Sequence, residues 1–259
     1  MSRLSTFELP INAFIQGASR GIGLGIVRLL LDDENVARVF ATSRHPGRAD
    51  VLETLKREHP DRLHLVRLDV TDEGTIEAAA RAVREHTDAL ELLLNVTGVL
   101  HDASRGMAPE KALRDLNPEH LAHSFAVNTI GPMLVAKHFW GLLKHERRAV
   151  FANLSARVGS IGDNHLGGWY GYRASKAAQN QFTKTLSIEL GRRAKNVLCV
   201  ALHPGTVDTQ LSKPFQANVP AHKLFDPARA SAQLLDVINQ LSASDSGTFY
   251  DWAGEPIEW

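Results

Sequence analysis

Short apolar runs alternate along this chain with longer stretches of helical period, the pattern made by strands and crossover helices of a parallel sheet. Strands are predicted at 11–16, 36–42, 63–68, 90–95, 149–154, 197–202 and 248–250. Helices are predicted at 21–31, 51–58, 72–86, 118–144, 172–192 and 227–241. Right-handed crossovers wind this order into a doubly wound α/β sheet with helices on both faces, whose ligands bind beyond the carboxyl ends of the strands. The 259 residues, 44% of them apolar, suffice for one domain spanning 1–259, and no linker, repeat or low-complexity tract divides it.

The glycine turn Gly17-Ala-Ser-Arg-Gly21-Ile-Gly23 follows the first apolar run and precedes an amphipathic one. Gly17 opens the turn, Gly21 lets a pyrophosphate approach the backbone, and Gly23 lets the next helix pack on the sheet. Ser19, Arg20 and Ile22 complete this candidate phosphate loop. Asp69, Asn95, Ser155 and Pro204-Gly205 also fall at or just past predicted strand ends, so one site gathers on one edge of the sheet. The second strand ends Ala41-Thr-Ser43-Arg44, without the acid that would meet the ribose hydroxyls of NAD. Arg44 and Arg20 instead suit a 2′-phosphate, so NADP(H) is the expected cofactor.

The formal charge is zero, from 29 basic and 29 acidic residues, which gives no field for nucleic acid or an anionic membrane. The N-terminal residues lack the apolar centre of a signal peptide, and no run reaches the length of a membrane span. A cytoplasmic protein with a small-molecule substrate is expected. Cys199, alone of its kind and in an apolar run, reads as a buried small hydrophobe. His120 and His123 lack a third ligand, and no metal site is expected.

Tyr172-Arg-Ala-Ser-Lys176 places a phenol and an ammonium one helical turn apart on one face. Bringing a phenol from about pH 10 to neutrality requires roughly 4 kcal/mol. One positive charge about 4 Å away, at an effective dielectric near 20, supplies roughly that amount.

The glycine spacing together with Tyr172-x-x-x-Lys176 resembles the short-chain dehydrogenase/reductase family over essentially the whole chain. The Gly-Gly-Trp-Tyr stretch before Tyr172 and Asp251-Trp-Ala-Gly254 resemble its carbonyl-reductase-like branch, which includes C-factor and sniffer proteins. The resemblance implies a Rossmann-like oxidoreductase that reduces an aldehyde or ketone by hydride transfer from NADPH, with Tyr172 as acid/base. Lys176 would bond the nicotinamide ribose and, with Asn128, link Tyr172 to solvent. Asn128 would distort its helix and hold a water against the lysine. Asp69-Val70 resembles the family's adenine-binding pair, and Asn95-Val-Thr97-Gly98 its Asn-Asn-Ala-Gly element. Pro204, Gly205, Val207 and Thr209 would meet the carboxamide and phosphates. Val96, Thr97 and Gln16 depart from the family pattern and leave the bracing of the glycine turn open.

The family serine is displaced. In Asn153-Leu-Ser155-Ala156-Arg-Val-Gly159-Ser160 its position falls on Ala156, leaving Ser155 through a local bulge, Ser160, or no serine at all. Of these, Ser155 is the expected serine. The loop before Tyr172 would line a substrate pocket through Trp169 and Tyr170, and residues 207–225, with Pro214, Phe215 and Phe225, suit a lid. Ala174, Ala178, Phe182, Leu186 and Leu190 form a four-residue stripe expected to build a homodimer or homotetramer. C-factor carries a signalling association, so a nucleotide-binding regulatory protein with little turnover is the alternative.

Overall fold

The structure, a computed structural model, describes residues 2–259. Its central sheet grows from β1 (Ile11–Gln16), an apolar run buried at every position, as the innermost strand of a parallel sheet must be. Successive side chains leave opposite faces. Ile11, Ala13 and Ile15 enter one core, while Phe14 enters the other and packs on Phe139 with ring centres 4.3 Å apart. Full burial of a ring such as Phe14 contributes about 1.5–3 kcal/mol.

In chain order follow α1 (Gly21–Leu31), β2 (Val36–Ser43), α2 (Asp50–Glu58), β3 (Leu63–Arg67), α3 (Glu73–Arg84) and β4 (Leu92–Asn95). Next come α4 (Pro118–Phe125), α5 (Gly131–Leu143), β5 (Ala149–Leu154), α6 (Tyr170–Arg193) and β6 (Val197–His203). The chain ends with β7 (Thr206–Val207), β8 (Leu224–Phe225), α7 (Pro227–Gln240) and β9 (Thr248–Asp251). The seven-stranded sheet has the order β3-β2-β1-β4-β5-β6-β9 and is parallel throughout. The strand order reverses between β1 and β4, and the carboxyl ends there open the crevice where such sheets bind ligands. One core packs α1 and α7 on the sheet, and the other packs α3, α5 and part of α6.

Three features differ from the sequence reading. The helix predicted over 118–144 is interrupted by a π turn at Ala126–Ile130, which centres on Asn128. Residues 207–225 make an excursion closed at its base by the two-residue pairing of β7 with β8, with a 3-10 turn between. The apolar stripe of α6 is divided: Ala174 is exposed, Phe182 and Leu186 pack against the protein's own core, and Leu190 is buried within it. At 3.6 residues per turn a row of residues four apart advances about 40° around the helix at each step, so this row runs from solvent into the core.

The amino ends of the central strands are tied by Glu91, a fully buried carboxylate. It accepts the Asn12 backbone N–H at 2.7 Å and two donors of Arg147, Nε at 3.1 Å and Nη2. Glu91→Ala leaves the buried Asn12 N–H and the guanidinium without their acceptor. It should cost about 2–4 kcal/mol in urea unfolding, with Glu91→Gln costing less. Equal stability of the alanine variant and the parent would contradict this role.

Candidate active site

The glycine turn is held by hydrogen bonds to β2. Gly17 has φ +85°, and its N–H donates to Thr42 Oγ1 at 3.0 Å while the Ala18 N–H donates to Thr42 O at 2.9 Å. A Cβ on Gly23 would stand 2.2 Å from Gly17 O, so only glycine lets α1 start this close to the turn. Two of the departures from the family pattern, Gln16 and Thr97, answer each other. Gln16 Nε2 donates to Thr97 Oγ1 at 2.6 Å, and the Thr97 N–H donates to Gln16 Oε1 at 3.1 Å. This reciprocal pair braces β1 against the end of β4.

Arg20 stands at the N-cap of α1 without a side-chain cap, and no acid occupies the first turn. The helix amides and the positive end of its dipole are therefore free for an anion. Ser19 and Arg20 are exposed beside them, and Ile22 turns into the core. Thr209 lies over the turn, its Cγ2 3.2 Å from where a Gly21 Cβ would be. At the end of β2 the Ser43 hydroxyl is buried without a partner, next to exposed Arg44. Burial pulls the Asp69 carboxyl upward in pKa, but Thr71 N–H and Oγ1 together with Arg44 hold it below its ordinary value. An orphaned hydroxyl, an exposed guanidinium and an uncapped helix start along one edge fit the phosphates of a 2′-phosphorylated dinucleotide. Val70 and Val207 are buried beneath this edge, and Pro204-Gly205 turns the chain from β6 into β7.

Tyr172 and Lys176 come together as the i,i+4 spacing requires, both buried in the first turns of α6. Their electrostatics differ from the sequence expectation. Lys176 Nζ lies 6.0 Å from the centre of the Tyr172 ring and donates to Leu154 O at 2.7 Å and Gln179 Oε1 at 3.0 Å. Burial pushes the Tyr172 phenol above its ordinary pKa and the Lys176 ammonium down to about 7. Exclusion of water opposes both charged forms and outweighs their attraction at this separation. In this state the Tyr172 phenol keeps its proton and is not a phenolate.

Asn128 sits inside the π turn, distorting the helix as expected. Its amide is spent differently: Oδ1 accepts the Val99 N–H at 2.7 Å, and Nδ2 donates to Val99 O at 2.9 Å and Ser175 Oγ at 3.0 Å. The side chain clamps the loop after β4 to α6 and has no N–H left for a water. Gly98 is held where a Cβ would be 3.6 Å from Lys176 Nζ and 3.5 Å from Asn128 Oδ1. Asn95 donates through Nδ2 to Asn153 Oδ1 at 2.9 Å.

Ser155 does not follow the expected route. Its N–H continues the β5–β6 ladder to Leu202 O at 2.7 Å, so no bulge turns the strand. Its hydroxyl is buried and donates to Asn180 Oδ1 at 2.7 Å. Asn180 lies two turns along α6 from Tyr172, about 12 Å of helix rise. Ser160 Oγ accepts the Asp163 N–H at 3.1 Å. Ala156, extended at φ −146° and ψ 145°, follows on the opposite side of the strand, where it has no hydroxyl to offer.

Sequence reasoning missed Glu110, Asn153, Gln179 and Gln210. Asn153 was legible as a polar residue inside a buried strand, whereas Glu110 lies in an irregular loop with no periodic signal. Gln210 contacts the Arg20 guanidinium and accepts His101 Nε2 on its carbonyl at 3.0 Å, joining the 207–225 segment to both walls of the crevice. Trp169 turns toward Tyr172, while Tyr170 is exposed on the outer side of α6. His120 and His123 address the loop after β4, at Arg105 O and Asp102.

The lowered Lys176 pKa has a sign. Between about pH 7 and the ordinary lysine value of 10.5 the folded protein holds a neutral amine, whereas the unfolded chain is protonated. Unfolding then takes up a proton, and stability rises with pH by at most about 1.4 kcal/mol per unit. Urea unfolding from about pH 7 to 9 should show this rise, and Lys176→Met should flatten it. Above that range Cys199, whose thiol burial pushes up to about 12, acts in the opposite direction. A parent protein whose stability is level from pH 7 to 9 would refute the shift.

Residues 12–220 match the short chain dehydrogenase family. An uncharacterized oxidoreductase of Schizosaccharomyces pombe is 32% identical over 257 residues, covering 94% of this chain and 96% of the relative. The NADPH-bound carbonyl reductase from chicken fatty liver is 33% identical with a TM-score of 0.86, covering 99% of this chain and 98% of that one. The carbonyl reductase Sniffer of D. melanogaster is 27% identical with a TM-score of 0.85, covering 97% of this chain and 100% of that one. With this extent of agreement in sequence and in fold, the chain belongs to the short chain dehydrogenase family of oxidoreductases.

Proposed function

We propose that this chain is an NADP(H)-dependent reductase of aldehydes or ketones with Tyr172 as its proton donor. The observation that carries the reading is a buried, neutral phenol one turn from a buried lysine, on the same sheet edge as an anion-ready glycine turn. NADPH, when bound, supplies the hydride. Its phosphates would meet the amides of the glycine turn with Ser19, Thr209 and Arg20, and its 2′-phosphate would meet Ser43 and Arg44. Asp69, Val70, Asn95, Thr97 and Gly98 would border the adenosine and ribose, and Pro204, Gly205 and Val207 the carboxamide end.

Tyr172 donates its proton to the carbonyl oxygen as that oxygen gains negative charge. The resulting phenolate is met by Lys176, whose titration near neutrality lets it hold or release a proton at Nζ. Asn128 acts through position, keeping the Val99 loop and Ser175 against this pair. Residues 207–225 close over the crevice as a lid, joined through Gln210 to Arg20 and His101. With the Ser155 hydroxyl committed to Asn180 and Ala156 beside it, the carbonyl is activated by Tyr172 without a serine.

NADPH should bind more tightly than NADH, and Arg44→Asp should move the preference toward NADH by replacing a phosphate partner with a like charge. Equal dissociation constants for the two reduced cofactors would sink the cofactor assignment.

Single-turnover NADPH oxidation with one active aldehyde or ketone tests the mechanism. Tyr172→Phe should lower the rate by about 10²- to 10⁴-fold with NADPH still bound. A donor to a developing oxyanion contributes about 10²–10³ in kcat, so Ser155→Ala, which removes no such donor here, should lose less than about ten-fold. A near-normal rate in Tyr172→Phe would refute the mechanism. If the parent reduces no carbonyl while binding NADPH, the regulatory alternative replaces it.

A further inference from the structure

Among the described residues, Trp169 is the non-glycine residue with a left-handed backbone, at φ 52° and ψ 44°. A bulky side chain keeps that conformation only where its surroundings impose it, and such positions gather at binding sites. The surroundings here are specific. The Trp169 N–H donates to Glu110 O at 2.6 Å, and Glu110 Oε2, on a buried side chain, accepts the Gly171 N–H at 3.2 Å. Arg173 Nε donates to the carbonyls of Gly167 and Gly168 at 3.2 and 3.0 Å, fixing the two residues that lead into Trp169.

Held in this way, the indole stands edge-on to Tyr172, with ring centres 6.4 Å apart, and leans on Phe215 of the 207–225 segment at 5.0 Å. Phe215 meets the His101 ring edge-on at 5.9 Å. The wall beside Tyr172 is therefore built of half-buried rings from three separate loops. Its nearby guanidinium groups are engaged: Arg173 with loop carbonyls, including Val158 O at 3.3 Å, and Arg20 with Gln210.

We propose that Trp169, locked by Glu110 and Arg173, is a specificity-determining residue that acts with Phe215 to select neutral compounds whose carbonyl is borne on a flat aromatic ring. This rests on the carbonyl-reductase reading of the site. A ring laid against the indole brings an exocyclic carbonyl toward Tyr172 without a charged anchor, through offset or edge-to-face contact. A carboxylate in the same place would lose its hydration, and Arg173 Nε and Nη1 are already bonded to loop carbonyls. Glu110 is a positioning residue: it acts through the backbone that aims the indole.

The test compares kcat/KM for benzaldehyde and for propanal with NADPH. Trp169→Gly accepts the left-handed backbone without steric cost, so the turn keeps its geometry when the indole is removed. Its benzaldehyde-to-propanal ratio should fall about ten-fold, mainly through the benzaldehyde KM, whereas Trp169→Phe should keep most of the ratio. Glu110→Ala should lower the ratio through KM as well, and Glu110→Gln, which keeps the acceptor, should restore it. An unchanged ratio in Trp169→Gly overturns the inference. If the parent reduces neither aldehyde, the functional reading fails separately, and calorimetric titration of the NADP-loaded protein with benzyl alcohol decides the inference. Weaker binding by Trp169→Gly than by the parent supports it; equal affinity, or no binding by the parent, overturns it.

Discussion

A buried amide relay sets the height of α6 on the sheet. Asn95 Nδ2 donates to Asn153 Oδ1 at 2.9 Å, Asn153 Nδ2 donates to Thr183 Oγ1 at 2.8 Å, and Thr183 Oγ1 donates to Gln179 O at 2.9 Å. All four residues are buried, and each polar group left unmet would cost about 1–3 kcal/mol. A slip of α6 by one turn would break the bond of the relay that joins sheet to helix, Asn153 to Thr183, together with Ser155 to Asn180 and Lys176 to Leu154 O, which selects a single register of helix on sheet. That register brings Lys176 Nζ to Leu154 O at the last residue of β5 and puts Tyr172 at the carboxyl edge of the strands. Packing reinforces it from beneath, since a Cβ on Gly159 would stand 2.8 Å from Lys176 Cβ.

Burial that makes the register precise in space also sets the protonation of the site. Water is excluded from Tyr172 and Lys176 together, so the phenol rises in pKa and the ammonium falls, and both groups favour their neutral forms. A neutral phenol suits the reducing direction, in which the protein must give a proton. The amine beside it titrates near neutrality, where a proton can be held or released at small cost. Helix position, solvent exclusion and acid–base behaviour are thus successive consequences of one packing arrangement.

Departures from the family pattern fall into two kinds. Gln16 and Thr97 are compensated: each satisfies the other across β1 and β4, and the glycine turn keeps its brace with different residues. Ala156 is uncompensated. The adjacent Ser155 hydroxyl faces Asn180, because neighbours on an extended strand point to opposite sides and no bulge intervenes. The wall of the crevice beside Tyr172 is built of rings, with Trp169 against Tyr172 and Phe215 against Trp169.

The elements and their order were legible in local patterns, because strand and helix periods, the glycine turn and the i,i+4 pair are properties of short segments. β1, α1 and β5 end where those local signals end, and Tyr172 and Lys176 share a face because helix geometry leaves no other arrangement. The missing acid after β2 was equally legible, since it needs only one strand end to be located. Only the tertiary structure decided what each polar group does: that Asn128 spends its amide on Val99 and Ser175, that Ser155 answers Asn180, and that Lys176 stands 6.0 Å from the phenol ring. It also decided that Glu110, 59 positions before Trp169 in the numbering, holds that residue's backbone. The physical reason is common to all of these. Hydrogen-bond partners and burial depend on residues distant in the chain meeting in one register, and no local pattern carries that information.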